Sequence, residues 1–348
     1  MKRLALAVLC LLLAAPTAVV PALAASKELY VYNWSEYMPD SVLEDFTKET
    51  GIKVIMSTYD SNEALYAKVR MVGAKGYDII VPSTDFVSRM RKEGLLQPID
   101  KSKLSNFGNL DPKLLNQAFD PDNTYSVPYM WGSTAIAVNV KDPAAASVTS
   151  FADLWKPELK GKILLPNDMR GVLGMGLKRL GHSLNEPDPA KVGQACDLLM
   201  PLMASVRVFD SDSPKQALLN NEVTAAVLWN GEAFVASGEN PDIRYVYPKE
   251  GFSLWVDNLC IPKNAANVGN AHIFIDYLLR PEVAAFICQE MGYSSPNLAA
   301  QATLPEDVRG NPIVYPSPED MARGEFETDL GPEVKAYEEC WMKLKTGK

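Results

Sequence analysis

Three of the six tryptophans in this sequence stand beside acids: Trp34-Ser35-Glu36-Tyr37, Trp229-Asn230-Gly231-Glu232 and Trp255-Val256-Asp257. That pairing has a chemistry. The face of an indole attracts a cation, at about 0.5–2 kcal/mol, and its apolar area covers a methylene chain. A carboxylate accepts charge-assisted N–H bonds from an ammonium. Side chains two apart in a strand share a face, so Trp255 and Asp257 point the same way. A single Trp at a strand end is ordinarily core, and Glu36 or Glu232 alone reads as a solvated loop charge. Repeated pairs are different, because a core has no use for them. They point to one aromatic-walled, acidic cleft for an organic cation. Asp85 and Asp168 fall at predicted helix N-termini, where a carboxylate stabilises free N–H groups by about 0.3–1 kcal/mol.

Covalent chemistry has little material here. There are only two histidines, His182 and His272, too few for a histidine metal site or a Ser-His-Asp triad. The sequence holds no G-x-S-x-G, H-E-x-x-H, phosphate loop or dinucleotide fingerprint. An enzyme reading would be a secreted hydrolase with Glu36 and Asp257 as acid and base, and no nucleophile supports it. No cofactor and no metal are expected. Beyond Cys10, the cysteines are Cys196, Cys260, Cys288 and Cys340, with no C-x-x-C spacing. Their apolar surroundings predict buried free thiols, while an oxidising compartment permits disulfides.

Composition agrees with a binding protein. The chain has 348 residues, 47% hydrophobic and 22% charged, enough for about two domains. A net charge of −9 argues against nucleic acid and anionic lipid as partners. Lys2 and Arg3, the apolar run Leu4–Leu13 and the small residues Ala22 and Ala24 read as a signal peptide over residues 1–24. No second stretch is long and apolar enough to span a membrane. The mature chain is therefore expected to be exported, acidic and not membrane-spanning.

Strand and helix patterns alternate, which indicates an α/β fold built on parallel sheet units. Strands are predicted at Leu29–Tyr32, Lys53–Thr58, Tyr77–Val81, Lys162–Leu165, Val206–Phe209 and Thr224–Leu228. The intervening helices include Ser41–Glu49, Asn62–Met71, Thr84–Lys92, Val172–Leu180 and Pro214–Asn220. Thr134–Val138 and Asn258–Ile261 are also strand-like. Helices Asn270–Leu279 and Pro281–Glu290 follow, and Pro332–Lys343 closes the chain. Ligands in such sheets sit beyond the carboxyl ends of the strands.

Long ordered stretches carry a resemblance. YNWSEY (Tyr32–Tyr37), YDIIVPS (Tyr77–Ser83), PYMWGSTAIAVN (Pro128–Asn139), FADLWKPELKG (Phe151–Gly161), WNGEAFVA (Trp229–Ala236) and GYSSPNLAA (Gly292–Ala300) are among them. Over nearly all of the mature chain, the sequence resembles the spermidine/putrescine-binding proteins of bacterial polyamine ABC transporters. The resemblance implies a periplasmic-binding-protein fold, two α/β lobes around a ligand cleft, joined by crossover segments near Trp131–Val138 and Asp257–Pro262. Lobe one would hold residues 26–130 and 257–301, and lobe two residues 131–256 and 302–348. Trp34, Tyr37, Trp229, Trp255 and Tyr293 match aromatic wall positions. Glu36, Asp168 and Asp257 match acids that pair with ammonium groups, and Ser83 and Ser211 match polar contacts. Ser35 stands where Thr occurs. Three departures affect which polyamine fits: Gly171 replaces an acid, Asp85 an aromatic wall residue, and Glu327 a glutamine. Asp85 or Glu327 could supply the acid missing at Gly171. The implied function is a monomeric periplasmic receptor that delivers a polyamine to permease subunits. Another cationic or zwitterionic solute on the same fold is the alternative.

Overall fold

The structure is a computed structural model that describes residues 27–347. The expected signal peptide lies outside the described residues. Ten strands form one mixed, curled sheet: β1 (Glu28–Trp34), β2 (Lys53–Tyr59), β3 (Ile79–Ile80), β4 (Ser126–Asn139), β5 (Ile163–Leu165), β6 (Val206–Phe209), β7 (Ala225–Trp229), β8 (Ile243–Val246), β9 (Phe252–Cys260) and β10 (Gly324–Phe326). Their order is β2-β1-β3-β9-β4-β7-β5-β6, with β8 on β4 and β10 on β9.

Two parallel groups, β2-β1-β3 and β7-β5-β6, are the expected crossover units. Between them run β4 and β9, antiparallel to each other. The first half of β4 pairs with β9 and its second half with β7 and β8. The far end of β9 reaches β3 at Cys260. These two strands are the crossovers, and they are longer than Thr134–Val138 and Asn258–Ile261. Pro128, which lacks an N–H, and the acid Asp257 hid their extent; the ladder shifts register between Pro128 and Met130. β3 is shorter than Tyr77–Val81. At Asp78 the backbone N–H still donates to Tyr30 O at 2.7 Å, but the side chain accepts from Tyr30 N at 2.9 Å and from Asn267 N at 2.7 Å.

Helices cover the sheet because their apolar faces have nowhere else to go. Leu29, Val31, Phe46, Ile79 and Phe274 build one core, and Ile136, Ile163, Val172, Leu199 and Tyr337 build another. The terminal helix, Val334–Thr346, joins the second. It brings Cys340 to Cys196 in a disulfide with Cα atoms 5.7 Å apart, which corrects the free-thiol expectation for this pair. Residues 144 apart in sequence meet because the tail folds back across the second core. Cys260 and Cys288 are buried free thiols, as expected.

Candidate functional site

The carboxyl ends of β1, β3, β5, β6 and β7 and the middle of β9 converge on a cleft of about 730 Å³, open mouth included. Trp34, Ser35 and Tyr37 enter from the end of β1, and Ser83 from just beyond β3. Asp168 follows β5, Ser211 follows β6, and Trp229 ends β7. Trp255 and Asp257 both enter from β9, as their spacing requires, and Tyr293 and Glu327 complete the lining.

The walls are aromatic. Trp34 and Trp229 lie with ring centroids 6.2 Å apart, and Tyr293 packs edge-on to Trp255 at 5.5 Å and to Tyr37 at 5.0 Å. Trp34 is fixed by its indole N–H, which donates to Val81 O at 2.9 Å. The Trp255 ring packs against Gly132 of β4, where a Cβ would fall 2.6 Å from it. The buried Trp255 Nε1 and Tyr37 hydroxyl make no hydrogen bond within the protein, so both polar atoms are available to a ligand.

The acids differ in their partners. Asp257 is buried and accepts from Ser83 Oγ at 2.6 Å. Burial, against the Ser83 hydrogen bond, holds its carboxyl near 7. The Tyr37 hydroxyl leans toward the same carboxylate without completing a hydrogen bond. Asp168 caps helix Met169–Arg179, accepting from Arg170 N at 2.9 Å and Gly171 N at 3.2 Å. It is both cap and lining residue, and burial raises its pKa above the usual range. Glu327 accepts from Ser253 Oγ at 2.5 Å, and burial pushes it up to about 8 against the pull of Arg170.

Two of the acids singled out from sequence stand elsewhere. Asp85 is buried behind the cleft, 3.5 Å from the Arg170 guanidinium. Glu36 is turned to the Lys215 ammonium and also accepts from Ser213 Oγ at 3.1 Å. Neither lines the cleft, whereas Glu63, Arg170 and Glu232 do. Sequence reasoning assigned no site role to Glu63 or Arg170. Glu63 reads as an ordinary first-turn acid of helix Asn62–Met71, so nothing marks it. Desolvation by the surrounding cleft walls, then the charge of Asp168, pushes its carboxyl up to about 7. Arg170 stands next to a recognised site acid, but a cation in a cleft for cations runs against expectation. Its NH1 donates to Thr328 O at 3.0 Å and its NH2 to Asn185 at 2.6 Å, so its charge serves the protein first.

Residues 41–315 match the family model of bacterial extracellular solute-binding proteins. The chain is 50% identical over 320 residues to the spermidine/putrescine-binding periplasmic protein of Escherichia coli K12, covering 92% of each. It is 35% identical to the putrescine-binding periplasmic protein PotF of the same strain, covering 93% of each. Among solved structures, it aligns with the spermidine/putrescine ABC transporter substrate-binding protein PotD of Streptococcus pneumoniae. That match has a TM-score of 0.76 and 38% identity, over 92% of this chain and 99% of that one.

Proposed function

This chain belongs to the bacterial extracellular solute-binding protein family, and on that premise we propose that it captures a polyamine in the periplasm and delivers it to an ABC-type permease. One observation carries the reading. Three indoles, Trp34, Trp229 and Trp255, and the acids Asp168 and Asp257 line a single cleft at the ends of parallel strands. Rings take the methylene chain and the faces of the ammonium groups. Carboxylates take the N–H bonds, and Ser35, Ser83 and Ser211 add neutral polar contacts. The half of the chain around β1–β3, residues 26–130 with 257–301, acts as one lobe. Residues 131–256 with 302–348 act as the other, and β4 and β9 are the hinge. The mature receptor works as a monomer.

The relatives support this reading, since proteins similar over nine-tenths of the chain are named for spermidine and putrescine. The test is calorimetric titration of the mature protein with putrescine, cadaverine, spermidine and spermine, with butylamine and amino acids as controls. Each acid left unpaired in the cleft carries a desolvation cost, so polycations should bind far more tightly than monoamines. Equal affinity for butylamine and putrescine would defeat the proposal.

A further inference from the structure

Lys215 is the first residue of helix Lys215–Leu219 and, among the described residues, the only lysine whose ammonium bridges two acids, Glu232 of the cleft lining and Glu36 beside it. Its Nζ donates to Glu232 at 3.1 and 3.3 Å and to Glu36. Its side chain is 10% exposed and that of Glu232 8%, while that of Glu36 is 49% exposed. The Ser213 hydroxyl donates to the same Glu36 oxygen at 3.1 Å, and Lys215 N approaches Glu232 Oε2 at 3.4 Å. Segment 213–215 therefore presents a hydroxyl and an ammonium to Glu36, as a ligand amine and its neighbouring polar group would.

We propose that Lys215 is a built-in ammonium that holds Glu36 and the lining acid Glu232 beside the cleft, so that this protein takes a diamine in preference to a triamine. The inference rests on the polyamine reading of the cleft and refines it. An ammonium that sought Glu36 would meet a like charge already shared between Glu36 and Glu232. It would have to displace a lysine buried among its partners, and a displaced lysine leaves its own charge to be resolvated. The acids left for ligand are Asp257, Asp168, Glu63 and Glu327, and Arg170 offsets part of their charge. Asp85 adds nothing to that supply, because it faces Arg170 outside the cleft lining. Lys215 is thus a specificity-determining residue: it shortens the acidic track by one ammonium position.

The test is calorimetric titration of the mature protein with putrescine and with spermidine, comparing wild type, Lys215→Met and the double variant Lys215→Met/Glu232→Gln. The double variant removes one cation and one acid together, so it leaves Glu36 vacant without adding an unpaired buried carboxylate; it decides the matter should Lys215→Met not fold. We expect wild type to favour putrescine. We expect the variants to shift the affinity ratio at least tenfold toward spermidine. A wild type that favours spermidine, or an unchanged ratio in a double variant that still binds both ligands, overturns the role of Lys215 and leaves polyamine binding standing. A wild type that binds neither overturns the polyamine reading and this inference with it.

Discussion

Asp257 is buried against Ser83 with its carboxyl near 7, so in the empty cleft at neutral pH it is about half protonated. An alkylammonium with a pKa near that of lysine, about 10.4, stays charged throughout this range. Pairing with it therefore requires Asp257, and Glu327 near 8, to give up protons. Affinity for a polyamine should rise between pH 6 and pH 8, and binding at pH 6.5 should release protons. Titration in buffers of different ionisation heat reads that release directly; heats that do not depend on the buffer would contradict it. Asp257→Asn separates charge from shape. Affinity should fall by about 1.5–3 kcal/mol, the worth of a hydrogen bond to a charged group. Stability should move the other way. The native pKa of Asp257 lies above its unfolded value, so ionising it costs nothing below about pH 4, increasingly more up to 7, and the full amount above. The unliganded Asn variant should thus melt higher than wild type at pH 8. Normal binding with a lower melting temperature would mean that Asp257 serves the fold alone.

The element that carries Asp168 has its own constraint. Asp168 caps helix Met169–Arg179, and a Cβ on Gly171 would come within 2.8 Å of its Oδ2 and 3.4 Å of Thr134 Cγ2. Gly171→Glu therefore crowds the cap before it can offer a new carboxylate to a ligand. We expect weaker polyamine binding, measured by titration. Tighter binding of spermidine would instead mean that Asp168 yields and the added acid takes an amine. Packed against the same helix, helices Pro189–Leu199 and Val334–Thr346 are tied by the disulfide Cys196–Cys340 across 144 residues. Closing a loop of that length restrains the unfolded chain, with a typical effect of about 2–4 kcal/mol. Cys340→Ser should lower the melting temperature without changing ligand affinity, since neither cysteine lines the cleft. A changed affinity would mean that the tail helix positions Asp168 or Arg170.

At the scale of the molecule, contacts cross the cleft at several places. Glu36 meets Lys215, Asp85 meets Arg170 at 3.5 Å, and Asp329 accepts from Ser88 at 2.8 Å and Lys92 at 2.5 Å. The Lys92–Asp329 pair is exposed and worth about 0–1 kcal/mol, and the more buried Asp85–Arg170 and Glu36–Lys215 pairs gain little beyond their own desolvation cost, so together they do not lock the two halves. A ligand that touches both sides adds what they lack and shifts the population toward closure. The radius of gyration from solution scattering should fall when polyamine saturates the protein, and tryptophan fluorescence should change as Trp34 and Trp229 close on the ligand. A scattering profile that does not move at saturation would count against closure while leaving binding intact.

Much of this was legible in the sequence because it depends on local pattern. Alternating β-branched and helical runs implied the two parallel groups, since each needs only its own periodicity and crossover helices. The pairing of Trp255 with Asp257 on one face followed from the two-residue repeat of a strand. The tryptophan-and-acid boxes announced a cation site because side-chain chemistry is carried by residue type. What the sequence left undecided involves partners distant along the chain. The full length of β4 and β9 is set by pairing with each other, which overrides the proline and the acid within them. Cys196 finds Cys340 only because the tail helix returns to the second core. Whether an acid faces a ligand or a cation of the protein itself is likewise a tertiary matter. Glu36 and Asp85 read like the other candidate acids, yet Lys215 and Arg170 take them, because electrostatic partners are chosen by distance in space.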